Sequence, residues 1–238
     1  MFSSTVTDYW TPHRNGQSDL EVGQLRVHVN DALPANRSVS VLELVAGGGV
    51  VTLTGAHAAR LNLTSGSGCT SHGVLEALQR AGVAMNDPDH LFYLTAAEQL
   101  DVSKNAPAPG ATRQLDEEDA HQFSELEEAA PADDLDEAFV ELDHWLAFGS
   151  FEDSRLVCAA SMIPWRGTRL ADLGVITLPQ YRGRGLATRT VRALSARALS
   201  QGYEPQYRCQ LDNEASVALA SAAGFSRYGT WHVIDFDE

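Results

Sequence analysis

One segment constrains the fold of this chain more than any other: residues 171–202, which read ADLGVITLPQYRGRGLATRTVRALSARALSQG. Residues 173–178 form a mostly apolar, β-branched run, which predicts a buried strand. The turn over residues 179–185 contains two glycines. A helical stripe of apolar residues then begins at Leu186, and Gly202 ends the helix. The segment therefore predicts a strand, a glycine-rich loop and a helix in succession.

This layout predicts an anion-binding site at the start of the helix. The first turn of a helix has unsatisfied N–H groups and the positive end of the helix dipole, and glycines let the backbone approach a phosphate closely. Arg182 and Arg184 add fixed positive charge. The expected ligand is a di- or polyphosphate. The alternative interpretations are an Arg/Gly nucleic-acid tract, which would be disordered, and a glycine-rich turn without a ligand.

Two common phosphate-binding motifs do not fit this loop. A P-loop requires a lysine after its second conserved glycine, and no lysine is present here. A dinucleotide-binding fingerprint requires a third glycine at the position of Thr188.

The loop instead resembles the coenzyme-binding motif of the GNAT acetyltransferases, through the pattern Gln-x-x-Gly-x-Gly at residues 180–185. The resemblance continues in Asn-x-x-Ser at residues 213–216, then in Leu219 and in Gly-Phe at residues 224–225. Thr-Leu-Pro-x-Tyr-Arg at residues 177–182 is further similar to the branch that contains the glycine N-acyltransferases.

The resemblance implies an α/β fold, with a GNAT-like mixed sheet flanked by helices in the C-terminal half and a smaller α/β domain before it. We predict that the GNAT domain covers residues 111–238 and the N-terminal domain residues 1–106, with a linker near residues 103–112 where prolines and a glycine cluster. The implied activity is transfer of an acetyl or other acyl group from coenzyme A to a primary amine, directly within a ternary complex.

The resemblance also implies a set of coenzyme-binding residues. Backbone N–H groups on the central strand would polarise the thioester carbonyl, the loop would hold the pyrophosphate, and two residues downstream would contact the coenzyme. In that order, the predicted residues are Val175, Ile176 and Thr177; Arg182, Gly183, Arg184, Gly185, Leu186 and Ala187; and Asn213 and Ser216.

The catalytic acid and base are less well defined. Many GNAT members carry a tyrosine seven residues after the asparagine to protonate the leaving thiolate, but Ala220 occupies that position here. We predict Tyr207 as the replacement acid, with Tyr228 or water as alternatives, and Asp172 as the general base. Asp172→Asn should lower turnover more than coenzyme affinity. Cys209 is interpreted as a buried apolar thiol rather than a nucleophile.

Composition limits the partners of the protein. The chain has 17 Lys and Arg against 32 Asp and Glu, a net charge of −15, which argues against nucleic acid or an anionic membrane as the main partner. Twelve acidic residues and no basic ones fall within residues 115–141. We interpret this run as a solvated helix face, the alternative being a wall of the acceptor site that attracts a cationic amine.

The histidines, which include His144, and the cysteines are scattered along the chain. They lack the spacing of a metal site, so no metal is expected. The three cysteines form no CxxC pair, and no apolar run approaches membrane-spanning length. A cytoplasmic protein is therefore expected.

Several further elements follow from local patterns. A hairpin is predicted over residues 39–45 and 50–54, a helix over 71–81 capped by Ser71, strands over 146–152 and 156–163, and a helix over 213–223 capped by Asp212. Residues 1–20 are expected to be a loose lead-in. The N-terminal half contains no motif that carries chemistry: it could be a degenerate second copy of the GNAT fold, a lid, or the interface of a homodimer.

A function from another class fits the same loop. The chain could be an acyl-CoA-binding regulatory or interaction protein that has kept the coenzyme site and lost turnover. The alanine at position 220 is the feature that supports this alternative.

Overall fold

The computed structural model describes residues 1–11, 19–22, 24–62, 70–105 and 110–235. The chain divides into two compact units, each assembled from several segments. The first unit comprises Met1–Val6, Phe92–Arg208 and Asn213–Ser226, and the second comprises Thr7–Leu91, Cys209–Asp212 and Arg227–Glu238. The domain boundaries expected at residues 106 and 111 remain a prediction.

Both halves of the sequence contain helices and strands. Those before residue 106 are α1 (Ser4–Trp10), β1 (Asp19–Val22), β2 (Leu25–Val29), β3 (Val39–Leu44), β4 (Gly49–Leu53), α2 (Gly55–Leu61), α3 (Ser71–Arg80), β5 (Asp89–Tyr93) and α4 (Ala96–Lys104). Those after residue 109 are β6 (Thr112–Gln114), α5 (Ala120–Ala129), α6 (Ala132–Ala138), β7 (Leu146–Glu152), β8 (Arg155–Pro164), β9 (Leu170–Thr177), α7 (Leu186–Ser200), β10 (Glu204–Gln210), α8 (Glu214–Ala223) and β11 (Ser226–Val233).

The first unit contains a mixed sheet in the order β10-β9-β8-β7-β6. Its strands pair antiparallel from β6 to β9, and β10 pairs parallel with β9. Side chains alternate between the two faces of a strand. Ile176 packs in a cluster with residues of α5 and α6, whereas Val175 packs in a cluster with Leu186 of α7. The helices therefore cover both faces of the sheet, as the α/β prediction requires.

Strands β9 and β10 separate partway along their length. Their parallel pairing runs from Leu170 and Glu204 to Leu173 and Tyr207, whereas the pairing of β9 with β8 continues to Thr177. Within residues 110–235, the last part of β9 thus has a sheet neighbour on one side only. Backbone groups on the other side are available to a ligand.

Helix α7 is fixed to the sheet by apolar and polar contacts. Val191, Leu194 and Ala198 are buried, which confirms the predicted apolar stripe. The hydroxyl of Thr190 lies 2.7 Å from that of Ser150 on β7 and also donates to the Leu186 carbonyl at 2.9 Å. Because the start of α7 is tied to β7 in this way, the loop before it is held in a fixed position.

In the second unit, neighbouring strands pair in the order β1-β2-β4-β3-β11. β3 and β4 pair antiparallel from Val39 and Leu53 to Glu43 and Gly49, which confirms the predicted hairpin. Valines and leucines of β2, β3 and β4 pack against Val74 and Leu78 of α3 to form a separate core.

The structure corrects both predicted helix caps. The side chain of Thr70, not Ser71, accepts the backbone N–H of Gly73, and the side chain of Asn213, not Asp212, accepts that of Ser216. A capping side chain must stand on the last non-helical residue, because only there does it reach the free N–H groups of the first turn. Each cap therefore lies one residue away from the predicted position.

Two predicted irregular segments contain helix. Residues 4–10 form α1, in which Val6 and Trp10 are buried. The first residues of the predicted linker belong to α4, which begins with a capping box between Thr95 and Glu98. Residues 106–109 of that linker lie outside the described residues, as does Cys69.

Candidate functional site

The glycine-rich loop adopts a backbone conformation that glycine favours. Gly183 and Gly185 have φ angles of +74° and +73°, and Gly185 is the residue directly before α7. A Cβ atom built at either position would meet no atom within 4 Å. The two positions therefore require glycine for its backbone freedom, and the space beside them is open to a ligand.

A cavity of about 510 Å³ lies at this loop, within the first unit. Its volume is typical of small-molecule sites. The structure brings ten of the eleven predicted coenzyme residues together around it: Val175, Ile176, Thr177, Arg182, Gly183, Gly185, Leu186, Ala187, Asn213 and Ser216. Arg184 is the exception and does not line the cavity.

Further walls come from two helices outside the glycine-rich loop. Helix α6 contributes Asp134, Glu137 and Ala138, and α8 contributes a set of mostly small residues, Ala215, Ala218, Leu219 and Ala222. The cavity therefore has a cationic, glycine-rich end at α7, an apolar side along α8 and an acidic side along α6.

Both loop arginines are held by carboxylates. Arg182 Nη2 lies 2.5 Å from Asp134 Oδ2, and its Nε donates to the Thr177 carbonyl at 3.1 Å. Arg184 Nη1 lies 2.9 Å from Glu152 Oε2. The arginine side chains are 51% and 52% exposed, and ion pairs that exposed contribute only about 0–1 kcal/mol. A polyphosphate with several negative oxygens can replace such partners at small cost.

The two predicted catalytic residues lie outside the cavity lining. Asp172 on β9 accepts hydrogen bonds from Arg208, at 2.8 Å from Nη2 and 3.1 Å from Nε, and from Gln206 Nε2 at 2.9 Å. Tyr207 is 3% exposed, and its ring contacts those of Phe92 and Phe225. Their catalytic roles remain predictions.

The other predicted alternatives are buried groups. Tyr228 belongs to the second unit, where burial raises the pKa of its phenol. Burial, with a smaller contribution from the nearby Asp89 carboxylate, raises the pKa of Cys209 to about 11. Burial also raises the pKa of the Cys158 thiol. A thiol with a raised pKa is protonated at neutral pH and is a poor nucleophile.

The structure also reveals a polar cluster that the sequence did not predict. His144 Nδ1 lies 2.8 Å from the hydroxyl of Ser161, and the Glu141 backbone N–H donates to the same hydroxyl at 3.2 Å. These contacts join a loop to a strand 17 residues away along the chain, and no local pattern marks such a pairing.

Across the described ranges, no group of three or more His, Cys, Asp or Glu side chains could hold a metal ion. None of the helices described there has the length and apolar character needed to cross a bilayer.

Comparison with known proteins gives a family and a fold. A family model described as GNAT acetyltransferase matches residues 80–234. A curated relative, the uncharacterized N-acetyltransferase YdfB of Bacillus subtilis (strain 168), is 36% identical over 59 residues, which are 25% of this chain and 23% of that protein.

One solved structure shares the architecture, and another has a lower structural similarity. One, described as a GNAT-family acetyltransferase from Novosphingobium aromaticivorans DSM 12444, is 22% identical with a TM-score of 0.50, over 64% of this chain and 66% of that one. Another, a GNAT-family acetyltransferase from Colwellia psychrerythraea, is 19% identical with a TM-score of 0.48, over 68% and 62% of the two chains. The chain thus spans less than two thirds of these relatives' own lengths.

Proposed function

Since the chain belongs to the GNAT acetyltransferase family, we propose that it moves an acetyl group from acetyl-CoA to the primary amine of a small molecule, by direct transfer within a ternary complex. One observation carries the proposal. The glycine-rich loop, the start of α7 and the end of β9 that has lost its β10 neighbour all meet at one cavity.

Each part of the cavity has a role in this reaction. Backbone N–H groups at Gly183, Gly185 and the first turn of α7 bind the pyrophosphate, and Arg182 adds positive charge. The edge of β9 freed from β10 offers N–H groups to the thioester carbonyl, where negative charge develops during attack by the amine. Binding both substrates side by side then supplies the proximity that the transfer needs.

The contact of α6 with β9 supports a small acceptor. A Cβ atom at Gly174 would lie 1.9 Å from the Ala138 carbonyl oxygen, so the end of α6 rests directly on the strand. A peptide acceptor needs an open trough across the sheet, and the close packing of α6 on β9 leaves less room for one. A small amine can enter the space that remains.

The first test combines binding with turnover. Acetyl-CoA should bind the protein with micromolar affinity in a calorimetric titration, and a panel of amines should then be screened for release of free thiol. The panel should contain glycine and other amino acids, a polyamine, an aminoglycoside and a short peptide. Amine-dependent thiol release, with the acetylated product identified by mass spectrometry, supports the proposal. Failure of acetyl-CoA to bind refutes it.

A second candidate is an acyl-CoA-binding regulatory protein without turnover. The observation that favours it is the environment of Ala220, which is fully buried where many family members have a proton-donating tyrosine. Tight acetyl-CoA binding, combined with thiol release no faster than background for every amine, would select this candidate over the enzyme.

A further inference from the structure

One ionisable group near the cavity and outside the predicted site is the imidazole of His144. Its side chain is 10% exposed and its ring packs against that of Phe139 at a centroid distance of 5.0 Å. Nδ1 lies 2.8 Å from Ser161 Oγ, and Nε2 lies 3.7 Å from Glu141 Oε2. The imidazole is thus within hydrogen-bonding distance of Ser161 at Nδ1, and the Phe139 ring lies against it at an interplanar angle of 52°.

The hydrogen bonds of Ser161 are compatible with a tautomer in which Nε2 accepts a proton. The backbone N–H of Glu141 can only donate, and it donates to Ser161 Oγ. A hydroxyl oxygen has two acceptor positions, so the second is available to an N–H at Nδ1 of His144. We assign that tautomer, which leaves a lone pair on Nε2, the nitrogen that faces the Glu141 carboxylate.

Two separate elements place His144 at the edge of the cavity. Ser161 on β8 pairs with Gly174 on β9, which directly precedes the cavity residue Val175. Phe139, which the imidazole contacts, directly follows the cavity residue Ala138 at the end of α6. The imidazole therefore contacts Phe139, which adjoins a lining residue along the chain, and Ser161, whose strand partner Gly174 adjoins another.

We propose that His144 accepts the proton of the acceptor amine in the reaction assigned above, with Ser161 and Glu141 as its positioning residues. This inference rests on the proposed function. The ammonium form of the acceptor gives one proton to Nε2 and becomes a free amine. The amine nitrogen attacks the thioester carbonyl carbon, the carbon–sulfur bond breaks, and the second nitrogen proton leaves with the coenzyme thiolate as a free thiol. His144 then releases its proton to water.

The surrounding charges suit this role. The Glu141 carboxylate lies 3.7 Å from Nε2. Strand alternation places Asp172 on the same face of β9 as Gly174, and that carboxylate is paired with Arg208. From α6, Glu137 lines the cavity. Asp172 is thus the rival proton acceptor. Both of its carboxylate oxygens already accept hydrogen bonds from Arg208.

The kinetic test compares four variants with the wild type, using the best acceptor from the amine panel. His144→Gln should lower kcat by about 100-fold or more, the usual contribution of a general base, and leave the KM for acetyl-CoA unchanged. It should also remove the rise of kcat/KM across neutral pH that an imidazole base produces. Ser161→Ala should give an intermediate loss, because the imidazole is present but no longer held.

The remaining two variants are the comparisons. His121→Gln is the matched control, because His121 is 83% exposed on α5 and pairs only with Glu125 among the ion pairs of the described residues. It should behave as wild type. Asp172→Asn tests the rival. A pH profile that is flattened by Asp172→Asn and unchanged by His144→Gln would overturn the proposal.

A second measurement needs no acceptor. In ¹⁵N-labelled protein, the imidazole signals of His144, identified by their loss in His144→Gln, should shift when acetyl-CoA is added, together with the amides of Gly183 and Gly185. The His121 signals should stay in place. Movement of the loop amides without any change at His144 refutes this inference and leaves the proposed function standing. Loop amides that do not move refute both.

Discussion

Replacement of Gly185 by glutamate should abolish coenzyme binding at a cost in stability that can be measured separately. Gly185 has a φ angle of +73°, and a side chain there enters open space rather than a neighbouring atom. The substitution should therefore lower the free energy of unfolding only by the backbone strain of an L-residue in the left-handed region, about 1–2 kcal/mol. For a chain of this size, that corresponds to a fall in Tm of roughly 2–8 °C.

The effect on binding should be much larger. A glutamate at the residue before α7 places a carboxylate where the pyrophosphate is expected. Two unit charges about 4 Å apart repel by about 4 kcal/mol at an effective dielectric constant of 20, on the order of a 1,000-fold loss of affinity. Calorimetry with acetyl-CoA at low salt should therefore show at least about a 100-fold increase in Kd, since salt screens part of the repulsion.

Gly202 offers the matched control at the other end of the same helix. Its φ angle is +77°, and a Cβ atom there also meets nothing within 4 Å. Gly202→Glu should lower Tm by a similar amount and leave acetyl-CoA binding unchanged. If Gly185→Glu and Gly202→Glu bind acetyl-CoA within about threefold of each other, the loop is not the pyrophosphate site and the reasoning is refuted.

Three further predictions follow from the contacts of the first unit. Asp134→Asn should tighten acetyl-CoA binding a few-fold by calorimetry, because it frees Arg182 and removes a carboxylate from the cavity; weaker binding would contradict this. Thr190→Val should lower stability by about 1–3 kcal/mol in urea unfolding, because it breaks a buried hydroxyl network; an unchanged midpoint would argue against that network. The Arg113 guanidinium holds the pKa of the Asp119 carboxyl below its usual value, so their pairing stabilises the fold above that usual value and the stabilisation is lost as pH falls through the lowered pKa. Arg113→Gln should thus be less stable than wild type at neutral pH and equal to it in strong acid, and a difference that persists in acid would contradict the pairing.

The sequence predicted the elements whose signals are local. The strand, glycine-rich loop and α7 could be predicted because β-branched residues, glycines and an apolar stripe follow one another within residues 171–202. The β3–β4 hairpin and strands β7 and β8 were predicted for the same reason and are confirmed. Ten predicted coenzyme residues meet at one cavity because most of them belong to a single strand–loop–helix unit.

The features that the sequence did not predict depend on contacts between distant residues. Helix α1 has only seven residues, too few for a clear periodic pattern, although Val6 and Trp10 are buried. The pairing of Asp172 with Arg208 joins residues 36 positions apart, so strand alternation alone could not show that the carboxylate is occupied. The His144 cluster was missed for the same reason, because its partner lies on another strand.

The most direct test of the account is a crystal structure with coenzyme A bound. The account predicts density for the pyrophosphate against the backbone N–H groups of Gly183, Gly185 and the first turn of α7, with the thiol end directed between β9 and β10. It also predicts that Arg182 has exchanged Asp134 for a phosphate oxygen. A coenzyme bound elsewhere on the chain, or a loop left empty at saturating coenzyme concentration, would contradict the central claim.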